Sequence, residues 1–197
     1  MRHLNPNTGW ILVLVLMLAG CGSTPSNNYY VLTAREGAAT GGQTPSLGIG
    51  PIRIPEYLNR TALVYRRDGN RLQIADYERW AEPLEEGIGR VLGLNLAGLL
   101  DTENVRPFPW HPGRAPDFGV SVNLLALDAD EGRAVLEAEW LVYRPDTSAA
   151  VSRRMARLEY SPPGGKLEPG DLAAAYSELL YRLSEAISIA ITEAGGA

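Results

Sequence analysis

Between Phe118 and Tyr160 the chain passes through three β-prone runs, Phe118–Leu127, Arg133–Tyr143 and Val151–Tyr160, joined by turns at Asp128–Gly132 and Pro145–Ser148. Connections this short force neighbouring strands to run antiparallel, because a parallel partner needs a crossover. In the first run Phe118, Val120, Val122 and Leu124 alternate with Gly119, Ser121 and Asn123. In the second, Ala134, Leu136, Ala138, Trp140 and Val142 oppose Val135, Glu137, Glu139, Leu141 and Tyr143. A period of two sends these sets to opposite faces, so the meander has one dry face and one wetter face.

A dry face needs a cover, and two segments carry one-sided stripes at helical spacing. Leu84, Ile88, Val91, Leu92, Asn95 and Leu99 form the first. Leu172, Tyr176, Leu179, Leu183, Ile187 and Ala190 form the second, within residues 172–194. Pro83 suits a first helical position, and Glu85 and Glu86 suit the positive end of the helix dipole. Asp171 can cap the second helix, and Gly195-Gly196 can end it. Gly87, Gly89, Gly93 and Gly98 weaken the first helix by about 1 kcal/mol each. Tertiary packing must therefore hold it, and such small residues allow a close approach to the sheet. The expected fold is α+β: an antiparallel or mixed β-sheet with two amphipathic helices on one face.

Upstream, Tyr29 to Thr33 reads as a first strand and residues 35–46 as a loop. Leu47 to Ile54 reads as a strand broken near Pro51, at an edge or a bulge. Pro55–Leu58 turns, and Thr61–Arg67 pairs with Arg71–Ala75 around Asp68-Gly69-Asn70. Val105–Trp110 is a short extended piece, with Phe108 and Trp110 folded onto the body.

The only cysteine, Cys21, follows a basic start at Arg2 and His3, an apolar run from Trp10 to Leu18 and a small-residue site at Leu18-Ala19-Gly20. These are the three parts of a secretory leader, and the run is too short for a comfortable membrane span. Its cleavage site resembles a bacterial lipobox, which implies a diacylglyceryl thioether and an acylated amine at Cys21. The expected organisation is a lipoprotein signal peptide over residues 1–20, a lipidated tether over 21–28 and a single domain over 29–197. Gly22 follows the cysteine where inner-membrane retention usually has Asp, so the outer membrane is the expected leaflet. Removing the leader leaves 177 residues and a charge of −6. No basic tract is present, so nucleic acid is not an expected partner.

Catalytic and metal chemistry find little support. With Cys21 acylated and His3 removed with the leader, His111 alone remains for a Cys/His metal site, and it sits in a proline-rich stretch without a nucleophile elbow. Glu85-Glu86 and Asp128, Asp130 and Glu131 fit a helix start and a solvated turn better than acid–base work. No phosphate-binding glycine motif occurs. The chain is expected to be no enzyme and to use no cofactor or metal.

Chemistry of another kind concentrates at residues 55–84, which mix Tyr57, Arg60, Tyr65, Arg66, Arg67, Arg71, Tyr77, Arg79 and Trp80. Exposed Trp, Tyr and Arg dominate protein interfaces. Tyr57, Arg60, Tyr65, Arg66, Tyr77 and Trp80 are therefore candidate partner-binding residues, with core packing the alternative for Tyr65, Tyr77 and Trp80.

The stretches "PEYLNRTALVYR" and "NRLQIADYERWAEPLEEGIGRVLGLNLAGLL" resemble the PqiC/YmbA-type auxiliary lipoproteins of ABC-type and MCE-associated transport systems. The order of lipobox, tether, "YYVL" strand, hairpin, "W-x-x-P-L" helix and C-terminal helix resembles them too. Pro55, Tyr57, Leu58, Arg60, Trp80, Pro83 and Leu84 match the family's motif. The resemblance implies a non-enzymatic outer-membrane lipoprotein facing the periplasm, docked to an MCE-type periplasmic protein and supporting lipid transport and envelope integrity. It offers no catalytic residues. Self-association into a homo-oligomeric ring suits the end of a conduit. A periplasmic lipid carrier, an assembly lipoprotein for lipopolysaccharide or outer-membrane barrels, and a periplasmic enzyme are the alternatives.

Overall fold

The structure is a computed structural model that describes residues 26–195 apart from 36, 38, 40 and 131. The leader and Cys21 lie outside the described residues. The strands are β1 (Asn28–Tyr30), β2 (Leu47–Arg53), β3 (Ala62–Asp68), β4 (Arg71–Trp80), β5 (Val105–Pro107), β6 (Phe118–Ala129), β7 (Ala134–Arg144) and β8 (Ala149–Tyr160). The two long helices are α1 (Leu84–Leu99) and α2 (Leu172–Gly195).

Five strands form one sheet in the order β5-β2-β6-β7-β8, and three form a smaller one in the order β1-β4-β3. The meander β6-β7-β8 is antiparallel throughout. β2 lies between β5 and β6 and is parallel to both, so the large sheet is mixed. Along β7 the dry set, Ala134, Leu136, Ala138, Trp140 and Val142, is buried, and the opposing set is half-buried. α1 packs on β2 and β5, α2 packs on β7 and β8, and the helices pack on each other. Both helices thus cover one face of the large sheet and share one hydrophobic core with it.

The glycines of α1 explain how the helix seats. A Cβ on Gly93 would lie 3.5 Å from Val105 and 3.6 Å from Ile49, and one on Gly89 would lie 3.4 Å from Ile52. The face carrying these glycines is pressed against β2 and β5, and longer side chains there would hold the helix away.

Several elements differ from their sequence reading. The first strand is three residues long, Asn28–Tyr30, and pairs in parallel with β4. β4 continues beyond Ala75 to Trp80, because its far end is held by β1 on one side and by β3 on the other. Pro51 sits at a bulge between Ile49 and Ile52 in an interior strand, not at an edge. Gly50 precedes it at φ +121°, a conformation that disfavours other residues. In α1, Leu96 is fully buried while Leu99 is half-buried. Asp171 caps a short helical turn, Pro169–Asp171, accepting the Glu168 N–H at 3.0 Å, and α2 follows directly.

Candidate functional site

An open groove of about 1210 Å³ runs between α1, the β2–β5 side of the large sheet and Ala34, Arg35, Gly37 and Ala39. Its wall includes Ile49, Ile52, Gly89, Gly93, Val105 and Phe108. Leu94 and Phe108 are the large apolar side chains left open there, at 51 % and 49 % exposure. Phe108 is steadied by Trp110, ring edge to ring face at 5.3 Å, and both rings lie over glycines. A Cβ on Gly48 would meet Trp110 at 2.4 Å, and one on Gly50 would meet the Phe108 Cβ at 2.6 Å. The rings are therefore folded onto the body by the absence of side chains beneath them.

The upper lip is tied down by hydrogen bonds that the sequence pattern did not announce. The Thr33 N–H donates to Ser177 Oγ and the Arg35 N–H to Asn95 Oδ1, both at 3.0 Å. Arg90 Nη2 donates to the Leu32 carbonyl at 2.9 Å. The segment thus bridges α1 and α2. Arg35 also pairs with Glu178 at 2.5 Å and lies 3.6 Å over the ring of Tyr181. Burial opposes the charge on Glu178, but hydrogen bonds from Arg35 and Arg182 outweigh it and hold the carboxyl below its usual range.

Charge at the rim is uneven. Its arginines are engaged, Arg35 with Glu178 and Arg90 with Glu82. Glu85, Glu86 and Glu103 line the same groove, are exposed, and form no ion pair among the described residues. The groove therefore offers an apolar wall beneath a rim with uncompensated negative charge.

The residues singled out by sequence do not converge on this groove. Tyr57, Arg66 and Asp128 meet elsewhere, where β3 approaches β6. Tyr57 donates its hydroxyl to Asp128 Oδ1 at 2.9 Å, and the Arg66 guanidinium takes the other carboxylate oxygen. Burial, then the bond to Asp128, pushes the Tyr57 phenol up to about 12. Tyr65 is half-buried against the core. Trp80 is a core residue at 6 % exposure, with its ring stacked on Tyr176 at 6.4 Å. Tyr176 is fully buried, and its hydroxyl has no hydrogen-bond partner among the described residues. Burial, and then the nearby Asp128 charge, pushes that phenol up. Arg60 and Tyr77 are exposed. His111 spends its ring on a local cap, accepting the Gly113 N–H at Nδ1.

Sequence reasoning missed the groove. The signal it had was the run of glycines in α1 together with the prolines and aromatic rings of residues 107–110. Among the described residues no cluster of His, Cys, Asp or Glu has a metal-holding arrangement, and no helix is long and apolar enough to cross a membrane.

A helix-covered mixed sheet with an apolar groove at one side defines an α+β domain. The chain belongs to the family of ABC-type transport auxiliary lipoprotein components, whose profile matches residues 30–188. The intermembrane transport lipoprotein PqiC of Escherichia coli (strain K12) is 28 % identical over 159 residues, 76 % of this chain and 80 % of that protein. PqiC of Shigella flexneri matches with the same identity and coverage. The crystal structure of XCC0632 from Xanthomonas campestris superposes with a TM-score of 0.68 at 13 % identity, over 86 % of this chain and 99 % of that one. That of an uncharacterized protein gives 0.67 at 19 % identity, over 85 % and 99 %. These two crystal structures share the fold.

Proposed function

We propose that this lipoprotein is the outer-membrane element of an MCE-type lipid transport system. Acyl chains on Cys21 hold it at the periplasmic face, and residues 22–28 set its reach. The groove beside α1 docks a segment of an MCE-type periplasmic protein, and the junction supports intermembrane lipid transport and envelope integrity. Family membership and the PqiC relatives support the transport role. The groove is the observation that carries the docking role. Its apolar wall and its unpaired Glu85, Glu86 and Glu103 suit a segment with an apolar face flanked by Lys or Arg.

Placing photo-crosslinking residues at Leu94 and Phe108, with Arg60 as a comparison, tests this in living cells. Recovery of an MCE-type protein at Leu94 and Phe108 is the expected result. Recovery of a barrel protein, or no crosslink above that at Arg60, removes the proposal. The groove's volume also admits a lipid acyl chain, which is the second reading. Lipid co-purifying with protein made without its acyl anchor, and lost in Gly93→Leu, would favour that carrier role. Self-association into a ring belongs to the same proposal, and native mass spectrometry of detergent-extracted protein measures it.

A further inference from the structure

The small sheet presents an apolar outer face that the groove does not use. Tyr29 is 65 % exposed, Val31 47 %, Leu72 37 %, Ile74 48 % and Tyr77 43 %. The pairing register puts most of them together. Ala62, Val64 and Arg66 alternate along β3, so their partners on β4, Arg79, Ile74 and Leu72, share one face of the sheet. Tyr29 of β1 pairs with Arg79 and joins that face. Tyr77 lies on the bulged stretch between Ile74 and Arg79. In the β1 region the alternation is complete: Tyr29 and Val31 point outward, while Tyr30 is half-buried and Leu32 is buried.

Chain length says what this face meets. Asn28, the first residue of β1, follows Cys21 by seven residues. Even fully extended, a segment of that length spans at most about 25 Å. An anchor at Cys21 thus keeps the small sheet within a few residue lengths of the headgroups. Tyrosines flanked by aliphatic side chains and arginine are the composition that settles at a membrane interface. Of the arginines that the register puts on this face, Arg66 is spent on Asp128, so contact rests on apolar and aromatic burial and not on attraction to anionic lipid.

We infer that the outer face of the β1-β4-β3 sheet, through Tyr29, Val31, Leu72, Ile74 and Tyr77, lies against the phospholipid surface to which the protein is anchored. It rests on the reading of Cys21 as the anchor. The contact fixes the body's orientation, which an anchor at one residue alone leaves free.

The test uses the full chain made in a bacterium and reconstituted in phosphatidylcholine vesicles, with and without phosphatidylglycerol. With Cys21 acylated, one new cysteine takes an environment-sensitive nitrobenzoxadiazole label, in Tyr29→Cys, Ile74→Cys, Tyr77→Cys or the far-sheet control Met155→Cys. The expected result is a blue-shifted label and several-fold stronger quenching by doxyl lipids at 29, 74 and 77 than at 155, with or without phosphatidylglycerol. Uniform, weak quenching on protein that still floats with the vesicles overturns the inference and leaves the anchor standing. Quenching that requires phosphatidylglycerol overturns the apolar contact. Unlabelled wild-type protein that fails to float overturns the anchor, and the inference with it.

Discussion

Replacing tyrosine by phenylalanine removes one oxygen, and at positions 57 and 176 the consequences should have opposite signs. The Tyr57 hydroxyl donates to Asp128 at 2.9 Å. A hydrogen bond to a charged acceptor contributes about 1.5–3 kcal/mol, and the half-buried site of Tyr57 puts its loss near the lower end, about 1.5 kcal/mol. The Tyr176 hydroxyl is buried with no hydrogen-bond partner among the described residues. Leaving such a group unsatisfied costs about 1–3 kcal/mol, which Tyr176→Phe recovers. The vacated oxygen leaves roughly 10 Å³ of empty space, which takes back about 0.2 kcal/mol. The stacking of ring 176 on Trp80 is untouched. Tyr176→Phe should therefore stabilise by about 1 kcal/mol. For a chain of this size each kcal/mol moves Tm by about 2–4 °C. Thermal unfolding followed by circular dichroism should place Tyr57→Phe about 3–6 °C below the parent and Tyr176→Phe about 2–4 °C above it. A fall in Tm for Tyr176→Phe comparable to that for Tyr57→Phe would show that hydroxyl to be bonded in solution and would refute the reasoning.

The same network makes stability fall in alkali. The Tyr57 phenol titrates at about 12 in the folded chain and near its ordinary 10.0 when unfolded, so its contribution is complete below pH 10 and lost as pH rises towards 12. Urea titrations across that window should show a shallower loss in Tyr57→Phe. Asp117 acts at the other end. Hydrogen bonds from the Ser46 N–H at 2.8 Å and from its hydroxyl at 2.7 Å hold its carboxyl below the usual range. Its contribution is present above its ordinary value of 3.8 and lost as pH falls through its lower folded value, so Asp117→Asn should flatten the acid limb of the same titration. Gly48→Ala drives a Cβ to 2.4 Å from the Trp110 ring. It should cost about 1–3 kcal/mol by overpacking and alter the near-ultraviolet dichroism, and unchanged spectra and Tm would contradict the packing described.

Local pattern disclosed the meander and both helices because each carries its own periodicity over ten or more residues. Val120, Leu136, Trp140, Leu179 and Leu183 are buried as their spacing requires. The small sheet was half legible: Asp68-Gly69-Asn70 announces its hairpin, but the pairing of Tyr29 with Arg79 joins segments fifty residues apart and leaves no local trace. Trp80 shows the limit of composition. Trp, Tyr and Arg crowd residues 55–84, yet Trp80 packs in the core and Tyr57 and Arg66 spend their polar groups on Asp128. Whether an aromatic side chain faces a partner or the interior depends on which distant segment lands on it. The groove was hidden for the same reason, since α1, β2, β5 and the Ala34-Arg35 stretch come together only in the finished fold.

The position of β2 has a consequence for how the chain comes together. Both of its neighbours lie far downstream, β5 at Val105–Pro107 and β6 starting at Phe118. A polypeptide that emerges amino end first therefore carries Leu47–Arg53 unpaired while more than fifty further residues appear. Closing so long a loop is entropically slow, and the apolar segment Leu47-Gly48-Ile49 must wait through it. Assembly of the large sheet should accordingly be the late event, with β2 seated only after β6 exists to receive it.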